Sequence, residues 1–527
     1  MTHKHTYLAP QPDASTQNLQ QEVQQTMQEN VQQEVQKNAQ QDVQRDQPQA
    51  VQQAVQQAVQ QAAQQNQAQA MQQNPGATEH AWQQEVAAML AGGALAGNAA
   101  QFAQPRGPGL LARIGAVESW QAARAAHGVW QYSRALIGAP QPIASIQDEA
   151  GHAARGVNFA SQDYLSLASH PAIAEAAQIA LRDAGPHSAG SAVLLGNTRA
   201  SLLLEQAIAE LVQTEHVALF PTGWGAAFGA ITAFVQAADH IVVDQFAHAS
   251  LRQGASAATG NITINRHLDA GHVRELVASI RARDAMNGIL VVTEGLFSMD
   301  SDSPDIAALQ AICHEFNATL LVDVAHDLGA LGLGGGGCIA AQGMLGKVDI
   351  VMGAFSKTFA SNGGFVAVGT RAAKRHLQLY AGPHMFSNAL SPVQAGVILA
   401  CIAIVRSDEG DQLRADLLRN VDLLRQLLAG AGHHCMGIGS AIVPVLIGSE
   451  PVSRLVGKLL FRQAVFVNQV EFPGVPLGAS RLRLQVMANH NTQQIRRAAT
   501  VIDQSIARAS TALAAHDATG KALAHGT

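Results

Sequence analysis

The sequence predicts an α/β fold in which a large domain with a mainly parallel β-sheet is followed by a smaller α+β domain. Between residues 217 and 368, short Val/Ile/Leu runs alternate with Ala-rich helical stretches. Strands that alternate with helices form parallel sheets that are covered on both faces. After a helix that begins near Ser391-Pro392, further helical segments precede strand-like runs at residues 442–447 and 481–486. This second pattern predicts the smaller C-terminal domain.

The composition divides the chain into five predicted segments. Glutamine dominates residues 17 to about 73, where apolar residues recur at spacings of four or eight. Four residues turn an ideal helix by about 400°, so an apolar stripe drifts by about 40° per step. This region is interpreted either as a low-complexity tail or as an arm that docks a protein partner. The predicted segments are a glutamine-rich tail (1–80), a helical lead-in (81–155), the large domain (156–395), the small C-terminal domain (396–515) and a tail (516–527).

Local patterns predict the individual elements in chain order. In the lead-in, helices are expected around residues 82–90 and 119–136, and the second ends where Gly138 and Pro140 break it. Beyond the lead-in, short β-branched runs predict buried strands whose carboxyl ends meet at one edge of a sheet, where catalytic groups collect. The predicted strands of the large domain are 217–220, 241–243, 289–292, 320–322, 350–352 and 365–368.

The overall charge and the cysteine spacing argue against several classes of protein. The 527 residues carry a formal net charge of −6 and show no basic footprint, so we expect no nucleic-acid partner. Neither a signal-peptide pattern nor eighteen uninterrupted apolar residues are present, so we expect no membrane span. The cysteines are far apart, which predicts neither a disulfide framework nor a metal site and favours a reducing cytoplasm. They are Cys313, Cys338, Cys401 and Cys435.

Three polar residues follow two of the predicted strands. Asp323 and His326 come after the run at residues 319–322, and Lys357 comes after the run at residues 350–352. A buried carboxylate can keep a pyridine nitrogen protonated, a histidine can bond a ring hydroxyl, and a lysine can form a Schiff base. At an effective dielectric of about 20, a carboxylate about 3 Å from a pyridinium gains roughly 5 kcal/mol. The trio predicts a site for pyridoxal 5'-phosphate (PLP).

Several blocks in a fixed order extend this prediction to a family. From about Val157 to Ala509 the chain resembles the α-oxoamine synthases of PLP fold type I, whose large domain is aspartate aminotransferase-like. The resemblance implies a mainly parallel seven-stranded sheet. It also implies an enzyme that condenses an amino acid with an acyl thioester, either acyl-CoA or an acyl-carrier protein, with decarboxylation to an α-aminoketone. The blocks are residues 158–165, 190–191, 196–198, 222–224, 248–250, 294–300, 323–326 and 355–357.

The resemblance implies roles for the residues around the cofactor ring. Lys357 would form the Schiff base and later act as a base, and Asp323 would pair with the pyridine nitrogen. His326 would bond the ring hydroxyl, and His248 would stack on the ring. Ser298 would contact the cofactor or the substrate near the ring hydroxyl.

The resemblance also implies partners for the cofactor phosphate. Gly223 and Trp224 would begin a helix whose free N–H groups point at the phosphate. Ser356 would add a hydroxyl group. Ser387 and Asn388 fall where relatives reach the phosphate of a neighbouring subunit, which implies a homodimer with shared active sites.

The substrate side combines one implied contact with two departures from the family pattern. Arg483 would clamp the carboxylate of the amino acid, because a guanidinium fork binds a carboxylate through two hydrogen bonds. Arg481 is the weaker candidate for this role. Asp163 stands where the family commonly has Asn, and Asp327 stands where it commonly has Gly. Both put extra acid near the substrate, which leaves the amino acid and the acyl donor open.

Two other functions fit the same residues. One is a PLP lyase or aldolase in which Lys357 works without an acyl donor. The other is a non-catalytic paralogue that stabilises an active partner chain, with the glutamine-rich arm as its docking element. The presence of Lys357, Asp323 and His326 argues against the second alternative, because a scaffold has no use for the trio.

Overall fold

The computed structural model describes residues 75–524, with side chains from Glu79 to Ala518. By its contacts the chain divides into one unit from Met1 to Gln84 and a second from Glu85 to Thr527, and the fold below is that of the second unit. The glutamine-rich run at residues 17–73 lies outside the described residues, so both interpretations of it stay predictions.

Thirteen strands form two sheets in the described part of the chain. Most strands of the larger sheet are buried on both faces, as their continuous Val/Ile/Leu runs predict. The strands are β1 (Ala135–Ile137), β2 (Ile143–Gln147), β3 (Ala153–Phe159), β4 (His216–Phe220), β5 (His240–Asp244), β6 (Ile262–Asn265), β7 (Ile289–Glu294), β8 (Thr319–Asp323), β9 (Ile350–Ala354), β10 (Gly364–Val368), β11 (Ile442–Gly448), β12 (Val465–Val470) and β13 (Ser480–Gln485).

The larger sheet has the strand order β4-β10-β9-β8-β7-β5-β6. Strand β10 is antiparallel to both of its neighbours, and the other pairs are parallel. The predicted seven-stranded, mainly parallel sheet is therefore confirmed. Six of its strands were predicted, but β6 was not. Its four residues are too short a run to stand out, and only Asn265 among them is buried.

The smaller sheet joins strands from both ends of the described chain in the order β1-β2-β3-β12-β13-β11. Strand β3 runs parallel to β12, with Val157 opposite Val465. The segment predicted as a helical lead-in thus supplies three strands to the C-terminal sheet, and the predicted boundary at residue 155 falls inside β3. The prediction of a helix through Leu136 is wrong. The helix ends at Ala126, just before Gly128 takes a positive φ of 64°.

Helices cover both faces of the larger sheet. One of them, α5, contacts β9 and β10 through small residues such as Ala226, Ala227 and Ala230. The helices are α1 (Pro75–Ala91), α2 (Ala116–Ala126), α3 (Pro171–Ala184), α4 (Arg199–Val212), α5 (Gly223–Phe234), α6 (Ala249–Ala258), α7 (Ala270–Arg283), α8 (Ile306–Glu315), α9 (Gly337–Ala341), α10 (Arg371–Tyr380), α11 (Gly382–Met385), α12 (Pro392–Val405), α13 (Asp408–Gly430), α14 (Glu450–Arg462) and α15 (Thr492–Ala524).

Two further predicted boundaries fall inside helices. The boundary at residue 395 lies within α12, and the tail predicted from residue 516 is helical as far as Ala524. Across residues 75–524, the structure contains no helix that combines the length and the apolar character needed to cross a bilayer.

Candidate active site

The carboxyl ends of parallel strands bring the predicted ring-binding residues to one edge of the larger sheet. In the pairing of β7 with β8, Glu294 lies opposite Asp323. In the pairing of β8 with β9, Asp323 lies opposite Met352, two residues before β9 ends. Lys357 follows this end by three residues. Asp323 and Lys357, which are 34 positions apart in the sequence, therefore belong to the same edge.

Asp323 is a buried carboxylate with one oxygen available. Its Oδ1 accepts a hydrogen bond from the backbone N–H of Ala325 at 2.9 Å. Among the described residues its Oδ2 has no hydrogen-bond partner. Burial raises the pKa of Asp323, and the positive charge of Lys357 opposes this shift. A cation or an N–H donor at Oδ2 would hold the group ionised.

Lys357 is half-buried beside two acidic side chains. Burial lowers the pKa of its ammonium group, while Asp323 and Glu294 oppose the shift. The pKa of Glu294 itself is raised well above its usual range by burial and by repulsion from Asp323. The lysine amine is thus held closer to its neutral, nucleophilic form than a solvated lysine would be. Ser356, the preceding residue, is exposed.

His326 follows the end of β8 by three residues, and its side chain contacts a tyrosine. Its Nδ1 is 2.8 Å from the hydroxyl oxygen of Tyr164, and both side chains are buried. Burial, followed by the nearby positive charges of Lys357 and Arg483, holds the pKa of His326 well below its usual value. The imidazole is therefore neutral at physiological pH.

His248 caps the N-terminus of α6. Its Nδ1 lies 2.7 Å from Ser250 Oγ, and its backbone N–H donates to Glu294 Oε1 at 2.7 Å. Its ring meets the indole of Trp224 edge-on, with centroids 5.9 Å apart and planes at 74°. Burial lowers the pKa of His248, which leaves a flat, neutral ring at the edge of the site.

The N-terminus of α5 lies at the same edge. Thr222 caps the helix by accepting from the N–H of Gly225 at 2.9 Å. At Gly223 a Cβ atom would lie only 2.4 Å from the Cβ of Ala354, so the helix can approach the end of β9 only with glycine here. The free N–H groups of the first turn can bind a phosphate at this point.

Arg483 enters the site from the smaller sheet. It is 9% exposed, and its Nη1 contacts Met299 Sδ at 3.6 Å. The side-chain oxygen of Gln485 accepts from its Nε at 2.9 Å and from its Nη2 at 3.1 Å. In the described part of the chain no carboxylate forms a salt bridge with Arg483. By contrast, Arg481 is bound to Asp300 at 2.5 Å. Of the two arginines, Arg483 is therefore the one available to a substrate.

The donor and acceptor set fits PLP. Asp323 has an unused oxygen for a pyridine N–H, Lys357 has an amine of lowered pKa, and α5 has a free N-terminus for a phosphate. Comparison with known proteins agrees with this fit. Residues 154–502 match the family model described as aminotransferase class I and II.

The chain belongs to this family. It is 35% identical over 344 residues to 8-amino-7-oxononanoate synthase from Trichlorobacter lovleyi, covering 65% of this chain and 87% of the relative. It is 34% identical over 365 residues to serine palmitoyltransferase from Sphingobacterium spiritivorum, covering 69% and 90%. The structure of the Sphingomonas wittichii serine palmitoyltransferase matches with a TM-score of 0.71 and 26% identity, over 77% of this chain and all of that one.

These relatives confirm the resemblance to the α-oxoamine synthases. The protein is a PLP-dependent transferase of the acyltransferase type, on the fold predicted from the sequence. The roles of the individual site residues stay predictions.

The two acidic departures are both buried, and each accepts a hydrogen bond from a backbone N–H. The carboxylate of Asp163 accepts from the backbone N–H groups of Leu167 and Ala168 at 2.9–3.2 Å, and burial raises its pKa to about 6. Asp327 is fully buried, accepts from the N–H of Cys338 at 2.6 Å, and has a pKa raised by burial to about 7. Both carboxylates hold local backbone. Asp163 therefore holds a turn, and its contact with a substrate stays a prediction.

Three further predicted residues lie in loops. Ser298 is buried in the loop after β7, next to Met299, which contacts Arg483. Ser387 is half-buried and Asn388 is exposed, and both follow α11, which packs against α5. No hydrogen bond in the described residues joins their side chains to the ring-binding group.

Sequence reasoning missed the partners of the two histidines. Tyr164 bonds His326, and Glu294 and Ser250 bond His248. All three residues lie in the sequence blocks that indicate the family, so the blocks marked their neighbourhood. The Tyr164–His326 and Glu294–His248 contacts join residues that are far apart in the chain, and nothing in the local sequence indicates them.

Proposed function

We propose that this protein condenses an amino acid with an acyl thioester and releases carbon dioxide and an α-aminoketone. The observation that carries the proposal is the buried Arg483 guanidinium, which has no carboxylate partner in the described residues and lies within electrostatic range of Lys357. Relatives named for 8-amino-7-oxononanoate and for serine palmitoyl transfer support it. When bound, PLP would supply the electron sink that weakens the bonds at the amino acid Cα.

Arg483 would hold the amino acid by its α-carboxylate. Its position on β13, opposite Asn468 of β12, fixes the guanidinium on a strand and not on a flexible loop. The contacts with Gln485 and Met299 leave the side chain without charge neutralisation from its own chain. A bound carboxylate would provide this neutralisation through two charge-assisted hydrogen bonds.

Lys357 would hold the aldehyde of the cofactor before the amino acid displaces it, and its freed Nζ would then accept the Cα proton. A base works best when its pKa lies near the operating pH. Burial lowers the pKa of Lys357 from its usual value towards physiological pH. Asp323 Oδ2 would accept from the pyridine N–H, and His248 would present the face of its ring to the cofactor.

The remaining predicted contacts surround the cofactor. The N-terminus of α5 at Gly223 and Trp224, together with the hydroxyl of Ser356, would bind the phosphate. His326 would donate to the ring hydroxyl oxygen, and Ser298 would lie on the same side. His326 would also polarise the carbonyl of the thioester.

We also propose a homodimer in which Ser387 and Asn388 serve the partner's phosphate. Leu194 and Leu195 are 82% and 89% exposed, and Phe386 is 87% exposed. Ser191 Oγ donates to the carbonyl of Met385 at 2.8 Å, so the segment that carries the two leucines lies next to the segment that carries Phe386. Such a surface is costly in water, and burial against a second copy would remove the cost. A cytoplasmic location and a protein partner for the glutamine-rich arm stay predictions.

The experiment combines a panel of amino acids with a panel of acyl-CoA and acyl-carrier-protein thioesters and measures carbon dioxide and aminoketone. We expect one amino acid to give both products only when a thioester is present. Products without thioester would favour a lyase or aldolase, and no products from any pair, despite a bound cofactor, would contradict the proposal. Failure to bind PLP would favour the non-catalytic alternative.

A further inference from the structure

The geometry determines which of the two residues, Tyr164 or His326, donates the hydrogen bond between them. The hydroxyl oxygen of Tyr164 and Nδ1 of His326 are 2.8 Å apart, so one hydrogen lies between them. Tyr164 is fully buried, and burial raises its pKa, so it keeps its proton. His326 is neutral and carries one N–H. Either the tyrosine donates to Nδ1, or Nδ1–H donates to the tyrosine.

The second arrangement would leave a buried proton without a partner. If Nδ1–H donated, the O–H of Tyr164 would need another acceptor. Within the described residues, the Tyr164 hydroxyl has no hydrogen-bond partner other than Nδ1. A buried donor without an acceptor is destabilising, because it has lost its hydrogen bonds to water and has formed no new hydrogen bond. The first arrangement satisfies both groups with the same bond.

We propose that Tyr164 is a positioning residue that acts through His326: it donates to Nδ1 and so fixes the imidazole as the Nε2–H tautomer. Nε2 has no hydrogen-bond partner among the described residues. The free N–H can donate to an oxygen in the site, as a hydroxyl oxygen of the cofactor ring or the thioester carbonyl requires. In this tautomer, Nε2 cannot accept a proton and His326 is not a general base.

The surroundings of the pair favour this arrangement. The positive groups around His326 are Lys357, Arg483 and His248, and each disfavours a second proton on its ring. Burial raises the pKa of the Tyr164 phenol, and it outweighs the charge of Arg483, which lowers the pKa, while the charge of Asp327 raises it. A tyrosine that stays protonated beside a histidine that stays neutral behaves as a donor over a wide pH range.

The test measures the tautomer directly by nitrogen NMR of protein labelled with ¹⁵N-histidine, with and without PLP. The His326 signals are assigned by their loss in His326→Asn. We expect a protonated Nε2 and an unprotonated, hydrogen-bonded Nδ1, and Tyr164→Phe should shift Nδ1 to the position of a nitrogen without a hydrogen bond. A protonated Nδ1 in the wild-type protein would overturn the proposal, whatever reaction the protein catalyses and however the variant folds.

A kinetic measurement on the PLP-loaded protein gives a second readout, and this part alone depends on the proposed function. Tyr164→Phe keeps the aromatic ring and should lower kcat about tenfold, the size expected for the weakening of one hydrogen bond, with the KM of the amino acid changed less than about twofold. Tyr380→Phe is the matched control, because Tyr380 is 63% exposed, and it should leave kcat and the nitrogen signals unchanged. An unchanged kcat in Tyr164→Phe would show that His326 does not need this donor.

Discussion

Two buried polar clusters in this protein have opposite organisation. After the end of β12, Glu471 accepts from Arg124 of α2 at 3.1 Å and from Arg454 of α14 at 2.8 Å, and both arginines also donate to the carbonyl of Gly97. At the edge of the larger sheet, Asp323 and Arg483 each retain polar atoms without charged partners of their own. In the first cluster every charged group has an oppositely charged partner, because one carboxylate lies between two guanidinium groups. The second keeps charge available, which is typical of a site that binds a ligand.

The comparison shows that the role of a buried charged group can be inferred from its partners. Burying an ion costs several kcal/mol unless a partner compensates the lost hydration. The Arg124–Glu471–Arg454 cluster is compensated within the chain and joins the segment after α1 to α14 and to the turn after β12. At the edge with Lys357, the charges of Lys357 and Asp323 offset each other only in part, because burial shifts both pKa values towards the neutral forms. We therefore expect substitutions in the first cluster to change stability, and substitutions in the second to change binding and catalysis.

The largest effect is expected for Lys357→Ala. Loss of the amine removes both the covalent attachment of the cofactor and the base, so turnover should fall by at least about 1,000-fold, with the thermal midpoint almost unchanged. The visible absorption band of the bound cofactor and the product assay measure this. Lys347→Ala is the control, since Lys347 is on the surface and donates only to the Gly343 carbonyl. A normal cofactor band in Lys357→Ala would contradict the assignment.

Glu471→Ala tests the other side of the comparison. It leaves two buried arginines without a counter-charge, and breaking such a cluster costs about 3–5 kcal/mol of unfolding free energy. Urea denaturation measures the loss. Glu315→Ala is the matched control, because its ion pair with Arg274 is about half exposed and should contribute less than about 1 kcal/mol. Equal losses in the two variants would remove the distinction between the clusters.

Arg481 and Arg483, both on β13, allow a paired arginine and an available arginine to be compared within one strand. Arg483→Lys should raise the KM of the amino acid about 10- to 100-fold, since a lysine cannot replace the two-point contact with a carboxylate. Arg481→Lys should instead lower stability through its pairing with Asp300 and leave this KM nearly unchanged. Steady-state kinetics and urea denaturation on both variants measure this. The reverse pattern would show that Arg481 binds the substrate.

The smallest effect is expected at His267. The protonation of its imidazole determines whether two neighbouring carboxylates have a positively charged partner. His267 lies 2.8 Å from Asp244 and 3.2 Å from Asp302. Burial lowers its pKa, but the two carboxylates outweigh this and raise it to about 9. Because the pKa is raised above the unfolded value of 6.5, the stabilisation is fully present below about pH 6.5 and is lost as the pH rises through about 9.

The measurement compares the unfolding free energy of the wild type and His267→Gln from pH 6 to pH 10. We expect the wild type to be more stable at pH 6 and the difference to shrink towards pH 10. A difference that is constant over this range would mean that the proton on His267 contributes nothing to stability.

Much of the fold was predictable because its signals are local. The strand runs that end at Asp323 and at Ala354 are continuous and apolar, and this pattern alone indicates strands buried on both faces. The position of Asp323 and Lys357 after such runs predicted the cofactor. The strands β1 to β3 were missed. Strand β3 pairs with β12, about 300 residues further along, and such a pairing leaves no local pattern. Strand β1 is short and exposed throughout, and it pairs only with β2.

The sequence by itself determined the fold class and the cofactor and predicted the ring-binding trio, since residue type and order carry these signals. Only the tertiary structure decided which charges are available. It turned Asp163 towards backbone N–H groups, separated Arg483 from the paired Arg481, and placed Tyr164 on His326. The physical reason is that the availability of a charge depends on its distance to other groups and on its loss of water, and both arise only when distant segments pack together.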